Sequence, residues 1–392
     1  MNTAAGYLDT IRRHVNRDRM LDTAKQLIGV PSKTGHAGEV CDRLAKILRA
    51  DGFDVQRNAA GHDAAPAVLV HYESGEPGRC LQFNGHLDVV HLPYVPPSID
   101  GNLLRGSGSC DMKGGTSAAV EALRAVRDSG LLKKGSVLLC AHDLHEAPWG
   151  LGQQLDALIR IGLHGDAVLL PEPITDHLPI VGRGSATWKA TIRRNGEPVH
   201  EVMRPMSEPS VIAAGAALVE RLGKLGETLS TQTDPVAGSA SVFIGQIHSG
   251  EIFNQYPQEC WLEGTRRWLK VEDRAAVKEE FLGHLAELGQ DRGVTVDCDW
   301  KHIRDPFQLD VKHWLVDAFQ SCYAGMQGQP LPTGPKMFVD DGNAFWGLAG
   351  IPAITHGPRA GGQHTVHEWI DIDDMVRVAT LYALTAVVYL NG

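Results

Sequence analysis

A short, mostly apolar run from Cys80 to Phe83 leads directly into the segment Asn84-Gly85-His86-Leu87-Asp88. Such a run, bounded by polar residues, predicts a buried strand. At the end of that strand, His86 and Asp88 place an imidazole and a carboxylate two residues apart. Both groups bind divalent metals, so this strand end is a candidate edge of a metal site. Strand ends that gather polar ligands are typical of open α/β sheets.

Alternating helical and strand patterns run through residues 1–180. Val40, Leu44 and Leu48 recur at helical spacing in the segment 38–50, and Asp51-Gly52 then ends that helix. Short, nearly all-apolar strands separated by helices favour an α/β fold with a mixed, mainly parallel sheet and flanking helices. The predicted strands of this part span 67–72, 80–83, 136–141 and 167–170.

The pattern changes at about residue 181. Between 186 and 193 apolar and polar residues alternate, as in a half-exposed antiparallel strand. The elements that follow run in the order strand, helix, strand, strand, helix, strand, which is the ferredoxin-like α+β arrangement. After about residue 303 the apolar helix and strand alternation resumes. We therefore predict an inserted domain, 181–302, within a discontinuous α/β domain formed by 1–180 and 303–392.

The composition of the chain limits which binding partners and which cellular compartment are expected. The chain has 392 residues and a formal net charge of −10, which argues against nucleic acid or an anionic membrane as its partner. No apolar stretch approaches the roughly 20 residues needed to cross a bilayer, and the first 20 residues contain no apolar core typical of a secretory signal. Seven cysteines at irregular spacing indicate reduced thiols rather than a disulfide framework. We expect a cytoplasmic protein.

A second punctuated segment contains Gly106, Gly108, Gly114 and Gly115, and within it Asp111 lies 23 residues beyond Asp88. It places the carboxylate of Asp111 on a glycine-rich turn. A helix is predicted at 116–127, so this carboxylate is expected near a helix N-terminus.

Five residues are candidate metal ligands, because each follows a predicted strand or lies in a loop or turn near one. Open α/β sheets gather their sites at the carboxyl ends of the strands, so these side chains are expected to converge. Two histidines and three carboxylates suit zinc, with cobalt or manganese as alternatives. Five ligands are one too many for a single tetrahedral ion, but they suit two ions that share a carboxylate and activate a water. The candidates are His86, Asp111, Glu146, Glu172 and His364.

The order of these motifs resembles the aminoacylase, acetylornithine deacetylase and glutamate carboxypeptidase family of co-catalytic zinc hydrolases. The resemblance covers essentially the whole chain, and it implies that the inserted domain carries a homodimer interface. It rests on Gly85-His86-Leu87-Asp88, then Asp111-Met112-Lys113-Gly114, then Glu146, Glu172-Pro173 and a late His364.

The resemblance implies a role for each of these residues. His86 and Glu172 would bind one ion, while Glu146 and His364 would bind the other. Asp111 would bridge the two ions. Asp88 would be the carboxylate that orients His86, as partners of metal-binding histidines commonly do. Of the eighteen histidines in the chain, His71, His142, His164 and His177 are treated as background.

The third motif departs from the family, which places two adjacent glutamates there, first a general base and then a ligand. This chain reads His145-Glu146-Ala147. In the register that we favour, His145 takes the base position and Glu146 the ligand position. In a second register Glu146 is the base and Ala147 stands where a ligand belongs, and in a third His145 replaces a carboxylate ligand. Imidazole can shuttle a proton near neutral pH, but this chemistry leaves all three registers open.

Three residues of the inserted domain match positions that contact substrate in the family. By resemblance, His200 is the histidine that reaches across the dimer to polarise the scissile carbonyl, a form of oxyanion stabilisation. Asn254 and Arg267 match positions that hold a substrate carboxylate, and the planar fork of arginine suits that task.

These features predict a homodimeric two-zinc amidohydrolase. The expected reaction is cleavage of an amide bond in a small carboxylate-bearing molecule, such as an N-acyl amino acid or small peptide, by a hydroxide that bridges the metals. The altered glutamate pair leaves two alternatives. One is a hydrolase of another C–N bond, such as that of an aromatic amine or amidine, and the other is a metal-retaining binding protein without catalysis.

Overall fold

The computed structural model describes residues 4–392 and divides the chain into two compact units. The first unit comprises the chain up to Ile180, together with Gln308–Gly334 and Asp340–Gly392. The second unit comprises Val181–Phe307 and Pro335–Val339. Residues 303–307 and 335–339, which the sequence pattern assigns to the α/β domain, thus group with the second unit.

The first unit is built on a six-stranded sheet. Four neighbouring strands are parallel, and two further strands extend the sheet through antiparallel pairings. This confirms the mixed, mainly parallel α/β sheet, although the strand predicted at 80–83 continues as far as His86. In spatial order the strands are Val55–Asn58, Ala67–Glu73, Ser136–His142, Cys80–His86, Ala167–Leu170 and Ala353–Thr355.

Helices flank this sheet, and two long ones, Lys113–Ser129 and Ile372–Asn391, pack against each other with most of their residues buried. Within residues 4–392, no helix is both long and apolar enough to cross a membrane. All seven cysteines are unpaired. The other helices of the unit are Ala4–His14, Arg17–Ile28, Gly38–Ala50, Gln153–Arg160, Trp314–Gln327 and Asp341–Ala349. A small second sheet contains Ser98–Asp100, Leu103–Arg105, Trp369–Asp371 and Ala360–Gly361.

The second unit has the predicted ferredoxin-like arrangement. Its four-stranded sheet is antiparallel throughout, and the aromatic residues Trp188 and Phe281 are buried in its core. In spatial order the strands are Ser241–Ser249, Glu259–Trp268, Gly184–Arg193 and Thr295–Arg304, and the two helices are Val211–Ser230 and Arg274–Arg292.

Shorter elements complete the fold. The second unit also contains the 3₁₀ turns Glu201–Met203 and Val271–Asp273, and the paired short strands Val199–His200 with Gln255–Tyr256 and Thr233–Asp234 with Gly238–Ser239. The strands Leu178–Gly182, Phe307–Gln308 and Thr333–Lys336 lie where the chain passes from one unit to the other.

The helix Lys113–Ser129 begins three residues earlier than the sequence pattern predicts. Glycine disfavours helix interiors, so Gly114 and Gly115 obscure the first turn. Close packing explains their presence, because a Cβ atom on Gly115 would lie 2.1 Å from the carbonyl oxygen of Pro171. The missing side chain lets the start of this helix approach the segment that follows the strand Ala167–Leu170.

We expect Gly115→Ala to lower the free energy of unfolding by about 1–3 kcal/mol, because the added methyl group overlaps backbone that cannot rotate away. Urea denaturation measures the effect. Gly223→Ala is the matched control, since its Cβ would meet nothing within 4 Å in the middle of the helix Val211–Ser230. There the substitution is expected to be neutral or to stabilise by up to ~1 kcal/mol. Equal midpoints for the two variants would contradict the packing argument.

Candidate metal centre

Three neighbouring parallel strands present polar side chains at the same edge of the central sheet. His86 is the last residue of the middle strand, Cys80–His86. Glu172 lies two residues beyond the strand Ala167–Leu170 on one side, and Glu146 lies four residues beyond the strand Ser136–His142 on the other. Because parallel strands end at a common edge, residues far apart in the chain meet here.

Asp111 lies between two histidines, and each of its carboxylate oxygens faces a different imidazole. Its Oδ1 is 3.1 Å from His86 Nε2, and its Oδ2 is 3.3 Å from His364 Nε2. The backbone around Asp111 is held by Glu368, whose Oε2 accepts hydrogen bonds from the N–H groups of Cys110 (3.0 Å) and Asp111 (3.3 Å). This carboxylate is therefore placed to connect two halves of one cluster.

Each half contains one further carboxylate. His86 Nε2 is 3.7 Å from Glu172 Oε1, and His364 Nε2 is 3.2 Å from Glu146 Oε2. His364 has a φ of +58°, a left-handed conformation that is uncommon outside glycine and asparagine and that clusters at functional sites. The structure thus brings all five sequence-predicted ligands into one cluster.

Asp88 joins the first motif to the third. Its Oδ2 accepts hydrogen bonds from the backbone N–H groups of His145 and Glu146, both at 3.0 Å. His86 Nδ1 is 3.0 Å from the backbone carbonyl of Asp88 and 3.5 Å from its Oδ1. Leu144, just before this turn, has a φ of +66°. Asp88 therefore contacts His86 as expected, and it also fixes the backbone that carries the third motif.

His145 lies beside the cluster rather than pointing to solvent. Its ring stacks on that of His86, with centroids 3.9 Å apart and planes within 4° of parallel. Its Nε2 is 4.0 Å from Glu172 Oε1, and its Nδ1 is 2.9 Å from Asp341 Oδ1. His145, His86 and Glu172 form one group of potential ligands in residues 4–392, and His86, Asp111 and Glu146 form another.

Three contacts of this centre were missed in the sequence. Asp341 and Glu368 lie some 200 residues or more from the motifs that they contact, so no local spacing links them. Asp341 does begin a helix, and the segment Asp340-Asp341-Gly342-Asn343 carries a capping signal that marks that helix start. His142, treated above as background, is buried with its Nε2 2.8 Å from Asp341 Oδ2.

The electrostatics of the cluster favour a bound cation. Burial and the neighbouring Asp111 raise the pKa of Glu172 to about 7. Hydrogen bonds to Asp111 and Glu146 raise the pKa of His364 to about 10. Burial lowers the pKa of His86, but its carboxylate partners outweigh this effect and hold the pKa well above its usual range. Within residues 4–392, the ion pairs of Asp111, Glu146 and Glu172 are with histidines. Imidazole nitrogens and carboxylate oxygens together form a donor set that fits divalent metals such as zinc.

The three predicted substrate residues lie in the second unit. His200 is exposed, and its Nε2 is 3.0 Å from Asn254 Nδ2, so the structure brings these two together. Arg267 lies on the strand Glu259–Trp268, opposite Ser185 of the neighbouring strand. Burial and the nearby Arg183 guanidinium lower its pKa.

Comparison with known proteins gives a consistent result. The sequence matches the model of Peptidase family M20/M25/M40 over residues 82–387. A succinyl-diaminopimelate desuccinylase from Alkalilimnicola ehrlichii is 27% identical over 380 residues, which cover 92% of this chain and 96% of that protein. Two solved structures are also similar: a tripeptidase from Staphylococcus aureus (TM-score 0.81, 20% identity, 96% of this chain and 99% of that one) and an M20 family metallo-carboxypeptidase from Sulfolobus solfataricus (TM-score 0.77, 15% identity, 94% and 99%).

The fold and the family match together define a metal-dependent hydrolase that acts on amide bonds. The chain belongs to Peptidase family M20/M25/M40. The resemblance drawn from the sequence motifs is therefore confirmed, as is the class of enzyme that it implied.

We expect metal binding to release protons, and the affinity to rise with pH. Near pH 7 the metal-free His86 and His364 hold protons, because their pKa values are raised, while metals bind only the unprotonated donors. Affinity for Zn²⁺ should rise as pH increases through about 7, where Glu172 deprotonates, and further towards about 10, where His364 does. Calorimetry in two buffers of different ionisation enthalpy counts the protons released.

In that measurement His364→Gln should release fewer protons than the natural chain, because glutamine brings no proton to exchange. A Zn²⁺ affinity that does not change between pH 6 and 9, with no proton release, would show that the cluster is not charged as described.

Proposed function

We propose that this protein is a two-zinc amidohydrolase that cleaves an amide bond in a small molecule bearing a carboxylate. The observation that carries the proposal is the position of Asp111, whose two oxygens face two different histidines, each with a further carboxylate. This arrangement suits two ions that share a bridging ligand. His86 and Glu172 would hold one ion, and Glu146 and His364 the other.

When bound, such ions supply a Lewis acid for the substrate carbonyl and lower the pKa of water. The chain's own residues then have to hold the reactants and move a proton. Glu146 is better placed as a ligand than as the base, because its Oε2 lies 3.2 Å from His364 Nε2. His145 is left for the base position, with its Nε2 directed towards Glu172 and its ring stacked on His86. From there it would accept the proton of the attacking water and deliver it to the leaving amine.

The substrate class follows from two features. Three relatives, at 24%, 27% and 32% identity, are succinyl-diaminopimelate desuccinylases, whose name denotes removal of a succinyl group, an acyl group with a free carboxylate. In the second unit, Arg267 and Asn254 would bind a carboxylate of the substrate, and His200 would polarise the scissile carbonyl. We therefore place N-succinyl and other N-acyl amino acids first among the candidates.

Separate substitutions of the third motif test the assignment. We expect His145→Ala to keep two zinc ions per chain while kcat falls by a factor of roughly 10²–10⁴, the usual contribution of a general base. Glu146→Ala is expected to lose one of the two ions, because it removes a ligand. Zinc is counted by atomic emission on dialysed protein, and turnover is measured on N-succinyl and N-acetyl amino acids, dipeptides and N-acyl arylamines. His164→Ala, at a histidine outside the cluster, is the matched control.

Each result has a distinct meaning. Loss of an ion in His145→Ala would make His145 a ligand, and full zinc with no activity in Glu146→Ala would make Glu146 the base. Turnover of arylamides alone would favour another C–N bond as the substrate. Two bound ions with no turnover of any compound would favour a metal-retaining binding protein.

We further infer that the protein is a homodimer that pairs through the second unit. The strand Ser241–Ser249 forms one edge of the sheet, yet Phe243 is 62% exposed and Ile247 52% exposed. Unprotected edge strands that expose apolar residues invite pairing with another chain. The adjacent helix Val211–Ser230 adds Ile212, which is 53% exposed.

Introducing charge at this edge tests the dimer. We expect Phe243→Lys combined with Ile247→Lys to give a monomer at micromolar concentration, because two buried lysines would face their counterparts across the pair. Light scattering coupled to gel filtration measures the mass. Thr295→Lys, on the opposite edge strand, should leave the mass unchanged. A natural chain that is monomeric at the same concentration would rule out the dimer.

A further inference from the structure

A chain of buried polar groups leads from the backbone to the carboxylate of Asp341. The N–H of Gly165 donates to Gln82 Oε1 at 2.9 Å. Gln82 Nε2 donates to Asn84 Oδ1 at 3.0 Å, and Asn84 Nδ2 donates to Asp341 Oδ2 at 2.8 Å. Because a backbone amide can only donate, it fixes the direction of every later hydrogen bond. Asp341 is therefore an acceptor.

The surroundings of Asp341 hold this carboxylate in its ionised form. It is 1% exposed, it lies in the first turn of the helix Asp341–Ala349, where the helix dipole stabilises negative charge, and its Oδ2 also contacts His142 Nε2 at 2.8 Å. The second oxygen, Oδ1, is directed at His145 Nδ1, 2.9 Å away.

We propose that Asp341 is a positioning residue for His145: by accepting a hydrogen bond from Nδ1–H, it keeps a proton on Nδ1 and turns Nε2 towards the metal cluster. This inference rests on the proposed function. It deepens that function by naming the group that sets the orientation and tautomer of His145, the residue at the proposed base position. The stack on His86 fixes the plane of the ring, and the hydrogen bond to Asp341 fixes its rotation within that plane. A carboxylate that orients a catalytic imidazole in this way occurs in hydrolases of unrelated fold.

The same network predicts what an amide would do at position 341. Asn84 Nδ2 donates to the inner oxygen, so an asparagine there would turn its own oxygen towards Asn84. Its NH₂ group would then face His145 Nδ1 and donate to it. His145 would have to carry its proton on Nε2 instead, where that nitrogen could neither accept a proton nor bind a metal.

The test is the tautomer of His145 in Asp341→Asn. Long-range ¹H–¹⁵N spectra of ¹⁵N-histidine-labelled, zinc-loaded protein distinguish the two ring nitrogens, and His145→Gln assigns the signals by their loss. We expect the natural chain to show an Nδ1–H signal, and Asp341→Asn to lose it and carry the proton on Nε2. We also expect kcat to fall by a factor of roughly 10²–10⁴ with little change in KM.

Asp340→Asn is the matched control. It removes a buried carboxylate from the start of the same helix, but Asp340 Oδ2 accepts from Thr355 Oγ1 and its Oδ1 from the N–H of Gly342. The tautomer of His145 should not change in this variant.

The proposal is overturned if His145 in the natural chain carries its proton on Nε2 alone, or if Asp341→Asn folds and leaves the Nδ1–H signal in place. The tautomer of His145 in the natural chain is measured without any variant. The proposal can therefore be overturned even if Asp341→Asn fails to fold. The spectra also need no substrate. An Nδ1–H tautomer in a protein that hydrolyses none of the tested amides would overturn the proposed function and leave the role of Asp341 intact.

Discussion

The candidate metal centre depends on one arrangement, the placement of Asp111 between His86 and His364 with one carboxylate oxygen towards each. Asp111 is not on a strand and cannot be positioned by the sheet. It is held instead by the hydrogen bonds of Glu368 to the backbone and by the close contact of the following helix with Pro171, which only glycine permits at position 115. A late loop, a helix start and a strand end are thereby fixed relative to one another, and the remaining ligands follow from the parallel sheet.

Much of this could be predicted from the sequence, and for a physical reason. Buried parallel strands are mostly apolar, so the strands that precede His86, Glu146 and Glu172 could be located from the sequence pattern, although not their exact ends. The alternation of the second unit was equally readable, because one face of its sheet is packed and the other is not. The roles of His145 and Glu146 could not be separated in this way. Which of the two is the ligand depends on which side chain lies close to His364, and that distance cannot be read from the sequence.

Two kinds of structural feature were not predicted from the sequence. The helix start at Lys113 was hidden because tight packing selected glycines that oppose helix propensity. Asp341, Glu368 and His142 were missed because their partners lie far along the chain and are often backbone groups. A buried carboxylate that serves a backbone N–H leaves no spacing rule in the sequence. It can be recognised only once the fold shows that it has no access to water.

The two hydrogen bonds that Asp88 accepts from the N–H groups of residues 145 and 146 bear on how such a centre can change over evolutionary time. They hold the turn by its backbone, so the course of the chain there does not depend on which side chain stands at position 145. A ligand at 146 can keep its place while its neighbour is exchanged for a group of different size and basicity. The scaffold thus holds the candidate ligand at 146 in place while the side chain at position 145, and with it the chemistry, can vary.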